Sequence, residues 1–252
     1  MNKPILIKTK KQIEKIREAG QVLFKLYNRL ESYIEPGVST LQVNNYAEKF
    51  IKKHGGYPTF KTVPGYKHAL CISINNEIVH GIPRKDRIVK KGDIVSVDGG
   101  VTLNGYIGDS TRTFLMPGAS EKAKKLNEVT KKSLMLGIEK AVPGNKMGDI
   151  GHAIQSYAEA EGFSVVRKYV GHGTGIQLHE SPAVPHYGSP GEGMELKEGM
   201  VLAIEPMINE GNYNTKTLED GWTVVTTDGL LSCQYEHTVA LTSKGPEILT
   251  GE

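Results

Sequence analysis

The chain repeats itself at a constant spacing of 107 residues. Pro36-Gly37 returns as Pro143-Gly144, Gly55 as Gly162, Lys90-Lys91-Gly92 as Lys197-Glu198-Gly199, and Asp98 as Glu205, all without a gap. A repeat of this length implies one supersecondary unit used twice, so the fold must accommodate two similar halves. Local patterning agrees. From Thr9 to Ile34, Ile13, Ile16, Val22, Leu23, Leu26 and Leu30 recur at helical spacing. From Ala119 to Val142, Leu126, Val129, Leu134, Leu136 and Ile138 do the same. Both helices run into a Pro-Gly stop. Second helices are predicted from Thr40 to His54 and from Lys146 to Glu161, each ending at a glycine. The β-rich runs Ile94-Val95-Ser96-Val97-Asp98 and Val201-Leu202-Ala203-Ile204-Glu205 follow. Helix, helix, then strands in each half predicts an α+β protein with a sheet covered by helices. We read residues 1–252 as one domain, with halves at about 9–116 and 117–249.

The repeat places Asp98 and Glu205 at equivalent strand positions, which a pseudo-twofold would bring to the centre. An acid closing an apolar strand is costly unless it is paired or ligated. Asn104-Gly105 is a two-residue hairpin signal, and the register it sets puts Leu103 opposite Tyr106 and Asp98 opposite Thr111. Asp109 then projects on the same face as Asp98, as its diagonal cross-strand neighbour. Two carboxylates so close need a cation or a shared proton. The run from Leu231 to Leu241 reads as one strand, with Gln234, Glu236 and Thr238 on one face and Tyr235 and His237 on the other. The inward glutamate again asks for a partner, while His237 reads as structural. His172 stands between Gly171 and Gly173, glycines read as giving the backbone freedom. His179 follows seven residues later, and His80 lies in His80-Gly81-Ile82-Pro83.

Bulk properties exclude several classes. Hydrophobic residues make up 38% and charged residues 23%, and the net charge of +3 demands neither nucleic acid nor an anionic membrane. Two cysteines, Cys71 and Cys233, build no disulfide framework and fit a reducing compartment. Neither a signal-peptide run nor a membrane-spanning run is present, so a cytoplasmic location is expected. The lysines Lys8, Lys10, Lys11 and Lys15, and the group at Lys122, Lys124, Lys125, Lys131 and Lys132, read as solvated helix faces, with docking on an RNA surface as the lesser reading.

These motifs carry a resemblance. His80-Gly81-Ile82-Pro83, Gly92-Asp93-Ile94-Val95 leading to Asp98, Gly108-Asp109-Ser110-Thr111, Gly171-His172-Gly173, His179-Glu180, Ile204-Glu205-Pro206-Met207 and Gln234-Tyr235-Glu236-His237-Thr238 stand in the order and spacing of the type I methionine aminopeptidases. The chain resembles that family from about residue 9 to 249. It has no long type II insertion, and no N-terminal zinc-binding extension is expected. The resemblance implies a mostly antiparallel pita-bread fold and a metallo-aminopeptidase, a hydrolase that removes the initiator methionine ahead of a small second residue. It implies two divalent ions. Asp98 and Asp109 would hold one, Asp109 bridging to the second; His172 and Glu205 would complete the second, and Glu236 would bridge both. The oxygen-rich donor set suits manganese, iron or cobalt, with zinc as the alternative. A hydroxide between the metals would attack the scissile carbonyl. His179 would stabilise the oxyanion, His80 would sit near the scissile nitrogen, and Glu205 would shuttle the proton.

By the same resemblance, Phe60, Tyr66, Cys71, Leu178 and Trp222 form the methionine pocket, with His80 and His179 also touching substrate. A monovalent cation, sodium or potassium, would sit on backbone carbonyls at Asn75, Glu77 and Ser232. The partner is the N-terminal methionine of nascent peptides, with transient ribosome association, no membrane, and a monomeric protein. Val63, Lys67-His68 and Ile107 depart from the family pattern around the pocket. The preference for a small second residue predicts that this chain, with Asn2, keeps its own Met1. Two other readings stay open: an Xaa-Pro peptidase sharing the metal set, and a catalytically inert pita-bread binding module.

Overall fold

The computed structural model describes residues 4–251, so Met1 and Asn2 lie outside the described residues. The first half runs α1 (Lys10–Tyr33), α2 (Thr40–Lys53), β1 (Tyr57–Pro58), a 3-10 turn (Thr59–Thr62), β2 (Leu70–Ile74), β3 (Glu77–Val79), β4 (Ile94–Leu103) and β5 (Tyr106–Leu115). The second half runs α3 (Glu121–Lys140), α4 (Met147–Ala160), β6 (Ser164–Val165), β7 (Gly171–Gly173), β8 (Glu180–Val184), β9 (Val201–Ile204), β10 (Met207–Asn209), β11 (Thr215–Thr217), β12 (Val224–Thr226), β13 (Ser232–Gln234), β14 (His237–Thr242) and β15 (Gly245–Ile248). The 107-residue spacing recurs in these boundaries: Tyr33 and Lys140 close α1 and α3, Thr40 and Met147 open α2 and α4, and Ile94 and Val201 open β4 and β9.

Local chemistry explains the helix starts. Thr9 caps α1 and Ser39 caps α2, each in a reciprocal capping box with the glutamine three residues on. The inner faces then go into two cores. One gathers Leu23, Leu26, Leu30, Val43 and Ile51 of α1 and α2 against Leu70, Ile72, Val95 and Val97. The other gathers Leu126, Val129, Ile150 and Ile154 of α3 and α4 against Leu202, Ile204, Ile208 and Val239. Each fully buried Leu or Ile contributes roughly 1.5–3 kcal/mol. Two helical layers therefore press on the strands from separate apolar clusters.

Among the described residues every strand pairing is antiparallel. β4 is flanked by β5 and β2, and pairs at its far end with β1. A second sheet runs β15-β14-β9-β7-β8. The Asn104–Gly105 turn has φ of 51° and 80°, the left-handed pair that a tight hairpin requires. It sets the register as expected: Leu103 faces Tyr106, and Asp98 faces Thr111.

The run from Leu231 to Leu241 differs from its prediction. It is two strands, β13 and β14, separated at Tyr235 and Glu236. The break has a cause. Glu236 leaves its own ladder to form a β-bridge with Thr111 of β5, N–H to carbonyl at 3.0 and 3.4 Å. This bridge joins the two halves. Among the described residues, no helix is long and apolar enough to cross a membrane.

Candidate active site

The acids converge at that seam. Asp109, the fourth residue of β5, is held at its backbone by Thr238, whose hydroxyl accepts the Asp109 N–H at 3.0 Å and donates to its carbonyl at 2.7 Å. Glu236 receives the Thr111 hydroxyl at 2.9 Å. Glu205 follows the last residue of β9. Its carboxylate takes the Gln234 amide at 3.3 Å, and its backbone N–H donates to His186 Nε2 at 3.0 Å. His172 sits in the middle of β7 with Nε2 at 3.4 Å from Glu205 and 3.9 Å from Asp109. Gly171 and Gly173 serve close approach and not freedom: a Cβ at either would strike the backbone carbonyl of Ala203 or of Ser181 on an adjoining strand.

Four carboxyl groups thus share one largely buried region. Burial raises the Asp98 carboxyl to about 7. Burial, and then the neighbouring carboxylates, push Asp109, Glu205 and Glu236 well above the ordinary range. His172 moves the other way, to about 4, because burial opposes its charged form. Neutral imidazole and crowded carboxylates are the forms a cation binds. One oxygen of Asp98 and one of Asp109 are buried without any hydrogen-bond partner, a cost that a dication would remove. Ligand atoms of Asp109, His172 and Glu236 lie within 4.8 Å of one another. Glu205 joins this group through His172. Asp98 reaches it across the hairpin and lines the same cavity. The residues present fit a divalent ion.

That cavity, of about 460 Å³, has an apolar wall. Phe60, Tyr66, Cys71, Ile107 and Leu178 pack there as one cluster, with Val63 and Trp222 against it. Tyr66 lies 5.0 Å from Trp222 and edge-on to Phe60 at 6.5 Å. His80, His172 and His179 line the same cavity.

The metallopeptidase family M24 pattern matches residues 14–243. The chain belongs to metallopeptidase family M24. It is 52% identical to the methionine aminopeptidase of Clostridium acetobutylicum over 246 residues, covering 98% of each chain. Its fold matches the methionine aminopeptidase of Thermotoga maritima at a TM-score of 0.97 and 44% identity, covering 99% of this chain and 100% of that one. The prolidase of Pyrococcus furiosus matches at 0.79 and 25% identity, but there the match spans only 65% of that chain. The full-length likeness is to the aminopeptidases, and the α+β pita-bread architecture is common to all three.

In this M24 chain, the expected residues are distributed as follows. Asp98, Asp109, His172, Glu205 and Glu236 all line one cavity, and Phe60, Tyr66, Cys71, Leu178 and Trp222 line it beside them, with Cys71 paired across the strands to Asp98. His80 stands edge-on to Tyr169 at 5.8 Å, and His179 edge-on to His172 at 4.4 Å. Burial lowers the basicity of both His80 and His179. His237 is away from the cluster, its Nδ1 on Thr250 at 2.9 Å. Asn75, Glu77 and Ser232 come together: the Ser232 N–H donates to the Asn75 carbonyl at 2.8 Å, and the Glu77 carboxylate holds the Ile74 N–H at 2.7 Å and Arg87 at 2.9 Å.

Sequence reasoning missed His186, the fully buried residue that anchors Glu205 and that burial holds at about 3. It also missed Tyr169 behind His80. Neither sits in a periodic pattern. Tyr169 lies two residues before Gly171-His172, and that nearness was the one available signal.

Proposed function

We propose that this chain removes the N-terminal methionine from polypeptides whose second residue is small. What carries the reading is a single cavity lined by the acid cluster and, beside it, by the Phe60–Tyr66–Cys71–Leu178–Trp222 cluster. A flexible thioether fits an apolar, aromatic pocket with a thiol in its wall. The peptide bond after that first residue then falls against the acid cluster.

Asp98 and Asp109 would hold one divalent ion, His172 and Glu205 a second, with Asp109 and Glu236 shared between them. Manganese, iron or cobalt suits this donor set at least as well as zinc. Bound there, such a pair would supply Lewis-acid polarisation and an acidified water. Thr111 holds the Glu236 carboxylate by a hydrogen bond, and Gln234 does so for the Glu205 carboxylate. Glu205, whose second oxygen is not engaged by Gln234, passes a proton between water and the departing nitrogen. His179 donates to the carbonyl oxygen as charge develops, and His80 contacts the departing nitrogen. Backbone carbonyls around Asn75, Glu77 and Ser232 are the corresponding place for a sodium or potassium ion. We assign the halves at 9–116 and 117–249 to one internally duplicated domain, acting as a cytoplasmic monomer that meets nascent chains at the ribosome.

The test is cleavage of a Met-Gly peptide against a Gly-Pro peptide under reducing conditions with manganese or cobalt added. Release of methionine from the first is expected. Cleavage of the second alone would make the chain an Xaa-Pro peptidase, and inertness toward both would make it a binding module.

A further inference from the structure

Lys8 was expected on a solvated helix face with Lys10, Lys11 and Lys15. It is instead the one of these four that is buried, its side chain 1% exposed, against Glu180 at 2%. Its Nζ donates to Glu180 Oε2 across 172 residues of sequence. The Lys8 backbone is fixed as well, its N–H donating to the Gly199 carbonyl at 2.7 Å.

Glu180 has a second task. Its Oε1 accepts the N–H groups of Ile176 and Gln177 at 2.7 and 2.8 Å. One carboxylate therefore ties Lys8 to the loop of residues 174–180. The same loop lies on Ile16 and the Lys8 stem at Gly175, accepts the Ile107 N–H at 2.8 Å, and donates from Thr174 to the Val201 carbonyl at 3.1 Å. Its outer end carries Leu178, a wall of the apolar pocket, and His179, whose ring meets His172. An ion pair that merely joined two segments would need no such fork. This one ends beside His179 and shapes the backbone immediately before it.

We propose that Lys8 is a positioning residue for the reaction: through Glu180 it sets the loop that presents His179 to the scissile carbonyl. The proposal rests on the role assigned to His179 above. Removing one partner of a buried pair strands the other charge, so the loop would relax to solvate Glu180. A displacement of about 1 Å at a catalytic group costs on the order of 100-fold in rate.

The experiment is a cycle on the metal-loaded, full-length protein, with a Met-Ala-Ser substrate and metal content measured in parallel. Lys8→Met keeps the stem and removes the ammonium. It is expected to lower kcat by roughly 10- to 100-fold, to move KM less than about threefold, and to leave metal content unchanged. Lys8→Met/His179→Ala is expected to be no slower than His179→Ala alone, because both changes remove the same contribution. Unaltered kcat in Lys8→Met, or losses that multiply in the double variant, would overturn the proposal. An unaltered kcat in His179→Ala would instead overturn the role of His179. Should Lys8→Met fail to fold, Lys8→Met/Glu180→Gln removes the stranded charge and keeps an oxygen for the two amides. Wild-type kcat in that pair would overturn the proposal equally.

Discussion

The two halves hold their acids by different means. The first half presents Asp98 and Asp109 on a hairpin of two ten-residue strands, closed by a turn of fixed handedness. The second half presents His172, Glu205 and Glu236 from strands of three or four residues, or from the gaps between them. A long antiparallel ladder sets side-chain direction from within. Short strands cannot, so the second half relies on cross-bonds: His186 to the Glu205 backbone, Gln234 to its carboxylate, Thr111 to Glu236. Rigid local geometry supplies one side of the site, and tertiary bonding supplies the other.

The comparison breaks most sharply at the seam. Asp109→Ala or Glu236→Ala is expected to bring peptide cleavage below detection and to reduce bound metal, measured by elemental analysis. Full metal retention in Glu236→Ala would show that the Glu236 carboxylate does not hold the metal. Gln234→Leu tests the cross-bonds alone. It is expected to weaken metal binding or activity by about 10- to 100-fold, read by titration calorimetry and rate. No change would mean that Glu205 is placed by its backbone bond to His186.

The third test treats the acids together. Their carboxyl groups are raised in the folded protein, Asp98 to about 7 and Asp109, Glu205 and Glu236 well above their ordinary values. A raised group stabilises the fold below its unfolded value, near 4, and loses that contribution as pH climbs through the folded value. Thermal unfolding of chelator-treated protein is therefore expected to fall from about pH 4 through pH 7 and beyond. Added manganese should remove the fall. A flat profile without metal would mean that the acids are not crowded in solution.

The smallest effects separate the two construction principles. Gly105→Ala places a Cβ at a φ of 80° in open space and is expected to cost roughly 1 kcal/mol, with metal binding intact. Gly173→Ala pushes a Cβ into the Ser181 carbonyl and is expected to cost about 1–3 kcal/mol while shifting His172. Denaturant unfolding with metal titration distinguishes them. Equal metal affinity in both variants would show that the short strands are as tolerant as the hairpin.

What the sequence determined by itself was whatever local rules govern. The 107-residue repeat set the order of elements, capping boxes and Pro-Gly stops set the helices, and Asn104-Gly105 set the register that places Asp109 beside Asp98. What only the tertiary structure decided was whatever depends on residues distant in the chain. The break at Tyr235 and Glu236 exists because Thr111 competes for the Glu236 backbone. Gly171 and Gly173 are required by the approach of neighbouring strands, which no spacing announces. His186 and Lys8 carry no pattern, since one buried side chain with a single long-range partner leaves no period in the sequence. Lys8 in particular sits among exposed lysines of the same type, and only the packing of the loop at residues 174–180 against the start of α1 takes it out of water.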